Sequence, residues 1–225
     1  MKHSNQLTPQ AVCLGLLILM TPAYADNDPL NPPRGMFQDE WYAVMLAGKK
    51  CGQMRTRMDR IENGGTDLIV TQTKMRMRMR RDGVEVGIAV HNKTTETLDG
   101  QPRSFSRTTY LGQQPVTTEG IIADGKVTIT SSQFGQKLPP KTFELPAGAL
   151  MDWGAYREQS KRKFKPGTQY ELPLYEPSLS PDRLCPSEIE ILTPETVDLF
   201  GRKVEATKIR QTMHIPSRLT GNTTQ

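Results

Sequence analysis

The chain has 225 residues, of which 29 are Lys or Arg and 24 are Asp or Glu, giving a formal net charge of +5. This modest excess comes without a recognised nucleic-acid motif or a basic surface interleaved with stacking aromatics, which excludes nucleic acid as a partner. A hydrophobic content of 36% is low but sufficient for one domain built on a sheet that is solvated on one side.

The amino terminus has the pattern of an export signal. Lys2 and His3 precede ten apolar residues at 11–20, and Ala23-Tyr24-Ala25 forms a small-x-small cleavage site. Ten apolar residues are too few to cross a bilayer, which takes about 20. The sequence therefore predicts a signal peptide at 1–25, a periplasmic or otherwise exported protein, and no transmembrane span after cleavage. Loss of Lys2 leaves 28 basic and 24 acidic residues, or +4.

After the signal, the prolines at 29, 32 and 33 predict an extended leader over 26–39. A single β domain is predicted over 40–215, followed by a flexible polar tail at 216–225. The domain begins with strands at 41–46 and 51–61, and Asn63-Gly64-Gly65 predicts the next turn.

The segment 74–90 predicts a hairpin from its period of two. Three methionines, at 75, 77 and 79, alternate with arginines, and Asp82-Gly83 then provides a turn. Val84, Val86, Ile88 and Val90 resume the alternation. We therefore expect one apolar and one polar face, and the apolar face needs a cover.

Further strands follow at 103–111, 116–123 and 126–134, with Asp124-Gly125 as a two-residue hairpin turn. Helical spacing then appears over 147–164, before strands return at 169–175, 184–192 and 197–213. The predicted fold class is mainly β: a long curved antiparallel sheet, a meander or half-barrel, with one inserted helix near residues 147–164.

Two cysteines remain after signal removal, Cys51 and Cys185. An oxidising compartment favours a disulfide between them. The alternative is a pair of buried thiols that pack as small hydrophobic side chains.

A family resemblance rests on short motifs in a fixed order. These are the segment Trp41 to Gly52, the turn at 80–83, the hairpin at 120–126, Phe164 to Gly167, Tyr175 to Ser178 and the segment 195–208 around Gly201-Arg202. Together they resemble the amino-terminal β domain of bacterial exported transglutaminase-like proteins. In that family a cysteine–histidine–aspartate module follows this region, and the chain stops where that module would begin. The order of strands, helix and strands is also similar to that of periplasmic lipoprotein-carrier half-barrels.

No catalytic constellation is predicted. The histidines after the signal, His91 and His214, lie in strand-like segments, and nothing local pairs either of them with Cys51 as a nucleophile. No His/Cys cluster has metal-ligand spacing, and no glycine-rich loop opens a helix after a strand. The sequence therefore predicts no enzyme, no metal and no cofactor.

Two functions remain open. The first is a noncatalytic exported β domain that serves as an interaction or accessory module for an exported protein partner. The second is a periplasmic carrier that binds a lipid or other apolar ligand in the concave face of the sheet. Its candidate lining residues are Met75, Met77, Met79, Val84, Val86, Ile88, Leu150 and Trp153. Methionine side chains adapt to a variable apolar ligand, but they equally suit an ordinary core.

Overall fold

The computed structural model describes residues 12–18, 28–46, 49–81, 84–111, 114–133, 135–162, 165–199 and 202–216. These residues form fourteen strands and one helix. In chain order the elements are β1 Val12–Ile18, β2 Gly35–Leu46, β3 Lys49–Asn63, β4 Thr66–Arg81, β5 Val84–Thr97, β6 Pro102–Leu111, β7 Gln114–Ala123, β8 Lys126–Gln133, β9 Gln136–Lys137, β10 Lys141–Glu144, α1 Asp152–Lys161, β11 Gln169–Leu174, β12 Cys185–Ile191, β13 Glu195–Leu199 and β14 Arg202–Met213.

Strands β2 to β10 form a large antiparallel meander. Its path runs β10-β8-β7-β6-β5-β4-β3-β2, with β9 paired to β8, so consecutive strands are neighbours. The sheet is open, since its path ends at β10 and β2. This confirms the predicted fold class of a long antiparallel sheet with one helix. At Asp124-Gly125 both residues have positive φ, 52° and 71°, as the predicted two-residue hairpin turn requires.

A smaller sheet has the order β1-β14-β12-β11, with β13 also paired to β14. Its first strand, Val12–Ile18, lies within the predicted signal peptide and runs antiparallel to residues 207–213 of β14. Among the described residues no helix has the length and hydrophobicity needed to cross a membrane.

Two boundaries differ from the sequence prediction. Strand β2 begins at Gly35, inside the predicted leader. Helix α1 begins at Asp152 rather than at 147, because Gly148 has a left-handed φ of 73° and Leu150 forms a parallel bridge to Leu174. Asp82, Gly83, Lys163, Phe164 and the tail from 217 to 225 lie outside the described residues.

Helix α1 packs against one face of the large sheet, which we call the inner face. Trp153 is fully buried there and packs with Met58 and Ile69. The helix also contacts the small sheet, because Ala155 clusters with buried residues of β11, β12 and β14. A second cluster links the large sheet, through Phe105 and its neighbours, to Tyr175 just after β11. The core therefore lies between two sheets, with α1 at one end of the inner face.

Candidate functional site

The register of β4 and β5 brings the predicted apolar residues onto one face. Met75 lies opposite Val90, Met77 opposite Ile88 and Met79 opposite Val86. Directly opposed residues on antiparallel strands share a face, and Ile69 under the helix shares it too because it has the same parity along β4. The three methionines therefore lie on the inner face.

This apolar end of the inner face continues onto neighbouring strands. Val44, Gly52, Met77, Ile88 and Leu111 form one row across the sheet. Helix α1 does not cover the row completely, since Leu111 is 60% exposed. Farther along the hairpin, Val84 is 64% exposed and Val86 38% exposed. The apolar end is therefore a partly open surface.

The two predicted helix residues are separated from the methionines. Trp153 packs its ring edge-on to Phe37, with centroids 5.7 Å apart, and stacks on Tyr156 at 5.5 Å. Its Nε1 donates a hydrogen bond to the Leu98 carbonyl at 3.0 Å. Leu150 packs on the cluster of the small sheet and lines the cleft described next. The helix thus fills one end of the inner face and leaves the methionine end uncovered.

A cleft of about 270 Å³ lies where α1, the inner face and the small sheet meet. Its apolar lining includes Met58, Phe105, Leu150, Leu174 and Met213. Its polar lining comes largely from one row of the large sheet and from the segments facing it. These polar residues are Gln38, Tyr42, Thr56, Asn92, Thr94, Arg107, Asp152, Tyr156, Gln159, Glu176, Ser178 and Gln211.

We call the row Thr56, Thr73, Asn92, Arg107, Thr118 and Ser131 the polar band, since the register places these residues side by side across five strand pairs. Asn92 Nδ2 donates to Asp152 Oδ2 at 3.2 Å, and Arg107 lies 3.3 Å from a carboxylate oxygen of Glu176. The polar band therefore separates the methionine end of the inner face from the end under α1.

Two carboxyl groups in this cleft have raised pKa values. Burial, together with the nearby Asp152, raises the pKa of Glu176 to about 7, while Arg107 opposes the shift. Burial also raises the pKa of Asp152, although hydrogen bonds from Thr94 and Asn92 and the charge of Arg107 oppose it. A low-dielectric cleft that holds two acids and one arginine favours the protonated form of one acid.

Glu96 lies next to the cleft and has no exposed surface. Its carboxylate accepts hydrogen bonds from the backbone N–H groups of Trp153 at 2.6 Å and Gly154 at 2.8 Å. Helix α1 has no side-chain hydrogen bond from its own N-cap residue, Met151, so Glu96 supplies the missing acceptors from β5. Burial and the charge of Asp152 nevertheless raise the pKa of Glu96 to about 8.

Sequence reasoning missed the cleft residues, although one signal was present. The period of two that runs from Val84 to Val90 continues through Asn92, Thr94 and Glu96. Polar residues at positions of an otherwise buried face indicate a change of environment along the strand. The partner carboxylates are 58 or more residues away in the chain, and only the fold brings them there.

The two cysteines are free thiols in the structure, which does not form the predicted disulfide. Cys51 is half-buried, with Sγ 3.4 Å from the Val44 carbonyl oxygen. Cys185 is fully buried opposite Leu174 in the small sheet, and burial raises the pKa of its thiol. Cys51 lies next to the Gly52–Met77 pair at the open methionine end of the large sheet, whereas Cys185 lies in the core of the small sheet. Within the described residues no group of three or more His, Cys, Asp or Glu side chains is arranged to hold a metal ion.

Comparisons with known proteins are sparse. No family model and no curated protein matches the chain. One solved structure to which the chain is similar is titled a beta-barrel-like protein of Domain of Unknown Function DUF1849 from Brucella abortus. The identity is 13%, the match covers 92% of this chain and 96% of that one, and the TM-score is 0.37. The resemblance to transglutaminase-associated domains finds no support in these comparisons and stays a prediction.

Proposed function

We propose that this chain is a noncatalytic exported binding protein that holds an amphipathic, lipid-like ligand on the inner face of its large sheet. The observation that carries the proposal is the change along β4 and β5 from apolar side chains, around Met77 and Ile88, to the polar band and the cleft behind it. A ligand with an apolar tail and a polar end matches that order.

The apolar end suits the tail. Met54, Met75 and Met77 are half-buried inner-face neighbours, and Val90 is the buried residue opposite Met75. Unbranched thioether side chains adjust to chains of different shape, and covering exposed apolar surface contributes about 25 cal/mol per Å². The tail would supply the cover that α1 does not give.

The cleft suits the polar end. Arg107 and Asn92 present donors and Asp152 and Glu176 present acceptors in a space of about 270 Å³. Pockets of this kind combine an apolar wall with a few convergent polar groups that fix the ligand's orientation. A hydrogen-bonding headgroup placed there would bind Arg107 and Glu176 in place of the contact that these two residues make with each other.

Binding without catalysis is supported by the buried acids, which are already hydrogen-bonded or paired, and by the Cys185 thiol, which stays protonated. The carboxylate of Glu96 is occupied by two backbone N–H groups, and Glu176 is paired with Arg107. Burial keeps the Cys185 thiol protonated, and the thiolate is the nucleophilic form of cysteine.

An interaction module for an exported protein partner is the second candidate. Exposed apolar residues at the rim of the inner face, Val84 and Leu111, favour it. A partner's apolar segment would then cover the same face.

Native mass spectrometry of the protein from its own compartment, followed by organic extraction, tests the proposal. We expect an added mass that the extraction identifies as an amphipathic molecule. The variant Met77→Ser/Ile88→Ser should lose it. The matched control Ile121→Ser, at a 69% exposed position of the same sheet beside Thr128, should retain it. A clean protein mass together with a co-purifying exported protein would favour the interaction module and contradict the carrier.

A further inference from the structure

The hairpin of β4 and β5 extends beyond its neighbours. The pairing of β3 with β4 ends at Gly52 and Met77, and the pairing of β5 with β6 ends at Ile88 and Leu111. Four further pairs, from Arg78 with Gly87 to Arg81 with Val84, have no third strand paired to them among the described residues. At about 3.3 Å per residue these pairs project roughly 13 Å from the sheet.

The two sides of this projecting hairpin differ in chemistry. On one side lie Met79, Val84 and Val86, of which the valines are well exposed. On the other side lie Arg78 and Arg80, with the Arg78 side chain 81% exposed and 3.7 Å from Glu85. An isolated two-stranded ribbon with one apolar side has no core of its own to bury that side.

Positive charge is concentrated in the same element. Residues 74–91 contain five Lys or Arg and two Asp or Glu, a net of +3 out of +5 for the whole chain. The basic side continues down β4 through exposed Arg76 and Lys74 to Arg55 on β3. Trp41 lies in that row, 57% exposed, with the Arg55 guanidinium 5.3 Å from its ring.

From this arrangement we infer that the projecting hairpin docks the protein end-on to a membrane surface rich in anionic phospholipid. The apolar side of the hairpin, which carries Met79, Val84 and Val86, enters the interfacial region, into which surface-bound segments bury apolar side chains by about 5–10 Å. The long arginine side chains behind the tip reach lipid phosphates while their stems stay on apolar surface. The inference does not depend on the inner face holding a ligand.

Vesicle binding tests the inference. The full chain as purified is mixed with vesicles of phosphatidylglycerol and phosphatidylcholine, or of phosphatidylcholine alone, and bound protein is measured by flotation. We expect binding to the anionic vesicles only, and loss of binding between about 0.05 M and about 0.5 M salt as the Debye length shrinks.

Matched variants make the test specific. Because each basic residue near an anionic surface contributes about fivefold in affinity, Arg76→Gln/Arg78→Gln should weaken binding about 25-fold. The control Lys137→Gln/Lys141→Gln removes equal charge from exposed positions at the other edge of the sheet, on β9 and β10, and should change binding less than about twofold. Val86→Ser should reduce binding at unchanged net charge.

Three outcomes would overturn the inference: equal binding to both vesicle types, equal weakening by the control pair, or binding to soluble polyphosphate with none to vesicles. These outcomes are independent of whether an extractable ligand is found.

Discussion

At the scale of single residues, buried carboxyl groups set the electrostatics of the interior. Glu96 is the clearest case, because one side chain both holds the start of α1 and lies without exposed surface between the sheet and the helix. Its pKa is raised because burial destabilises the ionised carboxylate more than the two backbone hydrogen bonds stabilise it.

The first prediction concerns pH. The pKa of Glu96 rises from an ordinary 4.5 to about 8, and that of Glu176 from 4.5 to about 7. A raised folded-state pKa stabilises the fold fully below pH 4.5, and this contribution is lost as the pH rises through the folded-state value. We therefore expect the free energy of unfolding in urea to fall by on the order of a few kcal/mol between about pH 5 and about pH 8.

Glu96→Gln should make that profile shallower, because the amide does not titrate, and should leave the part that comes from Glu176. Glu119→Gln, at an exposed position on β7, is the control and should leave the profile as it is. A stability that rises with pH over this range would contradict the prediction.

At the scale of elements, the strands of the large sheet depend on close packing between residues that lie directly opposite each other. Phe105 on β6 lies opposite Gly120 on β7, and a Cβ at Gly120 would stand 2.1 Å from the phenyl ring. The glycine therefore provides the space in which the buried ring lies flat against the strand.

The second prediction follows from this fit. Gly120→Ala forces the Phe105 ring from its place and should lower the free energy of unfolding by about 1–3 kcal/mol. Gly87→Ala is the matched control, since Gly87 is also within a strand but a Cβ there meets nothing within 4 Å. It should leave stability equal or raise it by about 0.5–1 kcal/mol. Equal effects of the two substitutions in denaturant unfolding would show that the ring is free to move aside.

The elements that local pattern fixes were predictable, and those that depend on distant contacts were not. Alternation and glycine turns predicted the meander through β8. The start of α1 was misplaced because helical spacing does not register the extended bridge between Leu150 and Leu174. The cleft was missed because Asp152 and Glu176 come from segments that the sequence does not align with Asn92 and Arg107. Trp153 packs against the end of the inner face that α1 fills, and its predicted contact with a ligand stays a prediction.

At the scale of the whole molecule, the two sheets share their core. Phe105, Ile122, Val127 and Ile129 of the large sheet pack with Met151 and Tyr175, which lie at the entrance to α1 and just after β11. The segments that flank α1 and β11 therefore cover this part of the large sheet. We therefore expect the described part of the chain to unfold as one cooperative unit.

The third prediction tests this cooperativity. The change in tryptophan fluorescence comes mainly from Trp153, which is fully buried, because Trp41 is already 57% exposed in the folded protein. This signal and far-ultraviolet circular dichroism, which reports the strands, should give the same urea midpoint for the full chain. Phe105→Ala should lower the free energy of unfolding by about 3–5 kcal/mol and should shift both urea midpoints down by the same amount. Two separate midpoints would show that the sheets unfold independently.

Because the first N–H groups of α1 donate to the Glu96 carboxylate on β5, the helix depends on the large sheet during folding. A ten-residue segment is too short to stay helical alone in water. The N–H group of Trp153 can donate to Glu96, which lies 57 residues before it in the chain, only after β5 has joined the sheet. We therefore expect the meander to form first and α1 to wind onto it late in folding. Substitutions at Glu96 should then accelerate unfolding much more than they slow refolding.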